Sequence, residues 1–114
     1  MSTLTDKAYL RIMRITEEFR KLDPCLQMQT AAVFLTIAHE NGINMAKIGE
    51  ITGLGQSSCS RNVAALSKFN RLNKPGLGLV KASEDPTERR RKIVTLTPKG
   101  KQVAKALQLF IDEA

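Results

Sequence analysis

Met45-Ala46-Lys47-Ile48-Gly49-Glu50-Ile51-Thr52-Gly53-Leu54-Gly55-Gln56-Ser57-Ser58-Cys59-Ser60-Arg61 is the stretch on which the fold turns. Ile48 and Ile51, three residues apart, give Met45 to Thr52 an inward apolar side and make it a short helix. Gly53-Leu54-Gly55 then forms a tight turn, and a longer helix runs from Gln56 to about Leu72. Short helix, glycine turn, longer helix is the helix-turn-helix pattern, here over residues 45–72. Projected on a helix, Cys59, Val63, Leu66 and Asn70 share one face with Phe69 beside it. Ser57, Ser60, Arg61, Ala64 and Lys68 lie opposite, with Ser58 at the edge.

That opposite face has short, hydrogen-bonding side chains where the helix begins. A helix that enters a DNA major groove about 12 Å wide needs small residues at its point of closest approach and donors aimed at base edges. Ser57, Ser58, Ser60 and Arg61 meet that need. Arg61 can address guanine in a bidentate fashion, Gln56 and Asn62 could address adenine, and the first backbone N–H groups suit phosphate. Serines at a helix start are equally the stuff of ordinary caps and solvated faces, so the pattern has to be weighed with its surroundings.

Downstream, Asn73-Lys74-Pro75-Gly76 reads as a loop and Leu77 to Ala82 as extended. Lys92-Ile93-Val94-Thr95-Leu96 is a second extended run with Val94 and Leu96 on one face. Between them Asp85-Pro86-Thr87-Glu88 has proline at the second turn position, which makes a reversal. Residues 77–97 therefore form a projecting hairpin, a wing, whose returning limb holds Arg89, Arg90, Arg91 and Lys92. Four consecutive cations repel one another, a cost that a polyanion such as a narrow minor groove relieves. The bland reading is a solvated charge run.

The flanks are helical. Thr5-Asp6 caps a helix over 6–22 with Ala8, Ile12, Ile15, Phe19 and Leu22 on one stripe, ended by Asp23-Pro24; the stripe suits a core face or a seam against a second copy. Met28 to Ala38 is apolar nearly all round and should be the central helix. Gly42 stops it, and Asn44 caps the short helix that starts at Met45. Thr97-Pro98 opens a last amphipathic helix over 98–113 with Val103, Leu107, Phe110 and Ile111.

The net charge of +7 is segregated. Residues 1–55 hold six Lys/Arg and six Asp/Glu, and residues 56–105 hold twelve against three, so the basic excess coincides with the helix-turn-helix and the wing. Such a field steers polyanions. At 114 residues the chain is expected to form one domain. With no Trp and few aromatic residues it lacks the stacking platforms of single-strand binders. Two cysteines, Cys25 and Cys59, are too few for a disulfide framework, and with no apolar run of membrane length or secretory type they imply a reducing cytoplasm, prokaryotic or that of a host cell. Cys59 falls on the apolar face and reads as an inert thiol. A single histidine, His39, beside Glu40 offers neither a metal set nor an acid-base pair, so no metal, cofactor or catalytic residue is expected and the chain does not read as an enzyme.

The order of elements, mainly α with a small β-hairpin, resembles the MarR family of bacterial winged helix-turn-helix regulators. Gly53-Leu54-Gly55-Gln56-Ser57-Ser58-Cys59-Ser60-Arg61 looks like that family's recognition-helix opening. Asp85-Pro86-Thr87-Glu88-Arg89-Arg90-Arg91-Lys92-Ile93-Val94-Thr95-Leu96-Thr97-Pro98-Lys99-Gly100 is close to its wing signature. The resemblance covers about residues 24 to 105 and implies a transcriptional regulator, a repressor, that reads double-stranded DNA in the cytoplasm. It places the recognition helix in the major groove and Arg89 and Arg90 in the adjacent minor groove, with Asp85 orienting a wing arginine. It further implies a homodimer through the N- and C-terminal helices, with recognition helices about 34 to 36 Å apart. Two features depart from the pattern: a C-terminal region that ends at Ala114, shorter than the family's paired helices, and a longer link from Phe69 to Gly78. No small-molecule effector is assigned. Two other readings stay open, a winged-helix protein-docking module and a phage or plasmid replication or segregation factor.

Overall fold

The computed structural model describes residues 3–69, 72 and 74–112. Five helices and three short strands follow one another as α1 (Asp6–Leu22), α2 (Met28–His39), β1 (Ile43–Asn44), α3 (Met45–Thr52), α4 (Gln56–Leu66), β2 (Val80–Glu84), β3 (Lys92–Leu96) and α5 (Pro98–Asp112). This is a winged helix-turn-helix. Asn70 and Asn73, expected on a helix face and in a loop, and Glu113, expected in the last helix, lie outside the described residues.

The helix starts fall where short polar side chains can take an otherwise orphaned backbone N–H. Thr5 accepts from the Ala8 N–H at 3.1 Å, Asn44 from Lys47 at 2.8 Å and Thr97 from Gly100 at 3.1 Å. Gly53 closes α3 with φ of 76°, the left-handed conformation that a side chain would strain.

The core gathers Val33, Phe34 and Ile37 of α2, Ile48 of α3, Cys59, Val63 and Leu66 of α4, Val94 of β3, and Val103 and Leu107 of α5. α2 is its hub, as its nearly all-apolar composition requires. Ile15, Phe19 and Leu22 of α1 pack against this core, with the Phe19 and Phe34 rings edge to face at 6.2 Å between centroids. No residue of α1 is fully buried: Ile15, Phe19 and Leu22 are partly covered, and Ile12 stands half exposed. Ile51, expected to face inward, is likewise exposed, because α3 is short and turns only Ile48 fully into the core.

The wing is part of a three-stranded antiparallel sheet in the order β1-β3-β2. The third strand, β1, occupies a link that reads in the sequence only as extended. Ile43 pairs with Val94 and Asn44 with Ile93, and the Gly42 N–H adds a bond to the Val94 carbonyl at 2.9 Å. On the other side Val80 faces Leu96 and Glu84 faces Lys92. The Asn41 side chain accepts from the Leu96 N–H at 2.8 Å, a further stitch between the end of α2 and the wing.

The recognition helix is shorter than its periodicity suggests. It ends at Leu66, not near Leu72, and Ser67 is extended. The Ser67 hydroxyl turns back to the Val63 carbonyl at 2.8 Å, and the carbonyls of Ala65 and Leu66 take the N–H groups of Leu77 and Leu79 at 3.1 and 2.7 Å. Those donors come from a returning chain segment, which also explains why β2 begins at Val80 and not at Leu77. Tertiary partners have overridden a local helical pattern.

Candidate nucleic-acid interface

α4 is held by its inner face and leaves the outer one open. Cys59, Asn62, Val63 and Leu66 are buried, whereas Gln56, Ser57 and Arg61 are exposed and Ser58 and Ser60 half exposed. No side chain caps its start at Gly55. The outward face contains Ser57, Ser60, Arg61 and Ala64 as the projection required.

Two residues expected to take part in contacts, Asn62 toward adenine and Lys68 on the outward face, are placed elsewhere. Asn62 cannot address a base, since its Oδ1 accepts from the Thr30 hydroxyl at 2.6 Å and its Nδ2 donates to the Ser58 carbonyl at 2.8 Å, all within a buried contact with α2. Lys68 is exposed but lies past the end of α4, with its Nζ 5.7 Å from the centre of the Phe69 ring.

The wing meets the recognition helix. Arg90, Arg91 and Lys92 line one open groove of ≈ 960 Å³ with Met45, Gly49 and Glu50 of α3 and Gln56 and Ser60 of α4. The wing and the start of α4, which the sequence singled out separately, are thus two walls of a single trough, with the cations on the wing side. Arg89 is exposed at the turn beside them. Glu50 is the one carboxylate among the described residues that line this groove.

The tip of the wing is a self-contained turn. Asp85 does not orient an arginine by an ion pair; its Oδ1 accepts from the Thr87 N–H at 2.9 Å and from the Thr87 hydroxyl at 2.8 Å. These bonds, the backbone one foremost, hold its carboxyl below the ordinary value. The Asp85 N–H donates to the Arg91 carbonyl at 2.9 Å, and the charge of Arg91 adds a smaller push in the same direction on the carboxyl.

Ser58, Arg61 and Ala65 border a second groove of ≈ 640 Å³ on the other flank of α4, facing Asp23 to Thr30 and Pro75 to Leu77. Cys59 lies beneath the helix with its Sγ 3.7 Å from the Met45 carbonyl oxygen, and burial pushes its thiol up. Cys25 is exposed. His39 is the exposed last residue of α2. Among the described residues no group of three or more His, Cys, Asp or Glu could hold a metal ion. No described helix is long and apolar enough to cross a membrane.

No protein-family model matches the sequence, and comparison with curated proteins gives no match. Solved structures do match. The PcaV transcriptional regulator of Streptomyces coelicolor is 24% identical with a TM-score of 0.62, over 94% of this chain and 76% of that one. MepR of S. aureus, in a DNA complex, is 14% identical with a TM-score of 0.72, over 91% and 77%. MarR is 24% identical with a TM-score of 0.61, over 90% and 72%. The fold of this chain is therefore that of the MarR-type winged helix, as the wing and recognition-helix motifs led one to expect.

Proposed function

We propose that this chain is a transcriptional regulator of the MarR type, a repressor, that binds double-stranded DNA through α4 in the major groove and the wing in the flanking minor groove. One observation carries the reading: Arg90, Arg91 and Lys92 share a groove with Gln56 and Ser60, so one rigid surface offers base-reading side chains and phosphate-seeking cations together. Gln56, Ser57, Ser58, Ser60 and Arg61 are assigned to the major groove, and Arg89, Arg90 and Arg91 to the wing. That MepR was solved in a DNA complex adds support from a neighbour of the same fold.

The regulator acts as a homodimer through α1 and α5. These helices pack on each other within the chain, and both leave large apolar side chains half exposed: Tyr9, Leu10 and Ile12 on α1, Leu109 and Ile111 on α5.

Titrating duplex affinity against salt tests the DNA reading. A steep negative slope of log affinity on log salt is expected. Arg61→Ala should relax sequence preference, whereas Arg90→Ala should weaken all duplexes evenly. A flat salt response, with an acidic protein bound in place of DNA, would support the docking-module alternative.

A further inference from the structure

The described parts of the link between α4 and β2, residues 67–69 and 75–79, run side by side as two arms. They are fastened to the end of the recognition helix by a ladder of main-chain bonds: Leu77 to Ala65 at 3.1 Å, Leu79 to Leu66 at 2.7 Å, Gly78 to Ser67 at 3.1 Å and Gly76 to Lys68 at 2.8 Å. Phe69 then bridges antiparallel to Pro75. The arms are so close at the root that a Cβ on Gly76 would overlap the Ser67 carbonyl oxygen. Residues 75–79 are thereby fastened to residues 65–69 at the end of α4.

Charge and position give the link a purpose. Lys68 stands on one arm and Lys74 on the other, both exposed. From residue 51 to residue 83 the sequence contains no Asp or Glu, while it contains Arg61, Lys68, Arg71, Lys74 and Lys81. Pro75, Gly76 and Leu77 at the root border the groove that Ser58 and Arg61 line, on the flank of α4 away from the groove of Arg90 to Lys92. The recognition helix is therefore bracketed by the wing on one side and by this link on the other.

We infer that the link is a second phosphate clamp, in which Lys68 and Lys74 hold the DNA backbone on the wall of the major groove opposite the wing. The inference rests on the DNA-binding reading above. Lysine suits the task as a point charge that seeks phosphate without reading sequence. Phe69 and Leu72 are also exposed on the link, which would fit an apolar protein contact. The absence of any acidic residue across the segment favours the polyanion.

The test uses the full chain and a random-sequence duplex, with affinity followed by fluorescence anisotropy across a salt series. Lys68→Ala/Lys74→Ala should keep the wild-type melting temperature, bind every duplex more weakly, and lower the slope of log affinity on log salt by about 1.8 for each protomer engaged, about 3.6 for the dimer, at about 0.9 per phosphate contact. Lys68→Arg/Lys74→Arg should restore the slope. Leu72→Ser should leave affinity and slope unchanged. An unaltered slope in the alanine pair, while the wild type still binds steeply, overturns the clamp and leaves the DNA reading intact. A loss confined to Leu72→Ser overturns it in favour of an apolar contact. A wild type with no salt-dependent binding removes the DNA reading itself, and the clamp with it.

Discussion

The Thr30 hydroxyl donates to Asn62 Oδ1 at 2.6 Å, joining α2 to the recognition helix across 32 residues of sequence in a buried contact. Asn62 also donates to the Ser58 carbonyl one turn earlier, so a single side chain fixes both the seat and the local winding of α4. Asn62→Ala would strand the Thr30 hydroxyl, at a cost of about 1–3 kcal/mol. Replacing both partners, Thr30→Val with Asn62→Ala, should cost clearly less than the sum of the single changes. Denaturant midpoints for the four proteins of this cycle measure the coupling, and additive losses would show that the pair acts independently.

The two thiols should react very differently. Cys25 is exposed, whereas Cys59 is 1% exposed with its thiol pushed up by burial. A thiol reagent at neutral pH is expected to modify one site rapidly and the second only in denaturant. Mass analysis of a time course would reveal any fast labelling of Cys59 in the native protein.

Asp85 should titrate below its ordinary value of 3.8. Because the folded-state value is depressed, the carboxylate's contribution to the turn is complete above 3.8 and is lost as pH falls through the lower folded value. The Thr87 amide, which donates to this carboxylate, reports the event as a nuclear magnetic resonance shift. A midpoint at or above 3.8 would contradict the geometry. Asp85→Ala should loosen Thr87 at neutral pH and leave the melting temperature nearly unchanged, since the turn is peripheral to the core.

On the proposed DNA-binding reading, the Glu50 carboxylate in the groove opposes phosphate, and its removal should help. Glu50→Gln is expected to raise duplex affinity about two- to fivefold at low salt, with the gain fading as screening sets in. A loss of affinity would show instead that Glu50 positions one of the wing cations across the groove.

The dimer reading predicts that Ile12→Arg with Ile111→Arg yields a monomer by sedimentation with a near-native melting temperature, because both residues are half exposed in the single chain. Affinity for an inverted repeat should fall far more than affinity for a half-site. An unchanged sedimenting mass would move the interface elsewhere.

How much of this could be seen in the sequence depended on whether a signal was local. The bounds of α1 follow from Thr5 and from Asp23-Pro24, and both hold residue for residue at 6 and 22. The wing turn follows from Asp85-Pro86, and the chemistry of the α4 face from the run of serines. Pairings with distant chain could not be seen. Asn62 looks available to a base until Thr30 is brought beside it. The phase of Leu66 to Asn70 fits a continuing helix until the segment 76–79 supplies other partners for the last carbonyls. β1 is too short to announce itself and exists because Val94 is there to receive it. Ile12 and Ile51 share the period of a core face, but period alone does not say how far along a helix the neighbouring elements reach.

The pairing of Ile43 with Val94 ties the root of the wing to the strand that leads directly into α3. Spacing between tip and recognition helix is consequently set by the sheet, while residues 85–91 are closed by their own short turn. The tip is in effect an interchangeable fitting on its arm: its side chains can be exchanged without disturbing the hydrophobic interior or changing where the tip stands relative to α4.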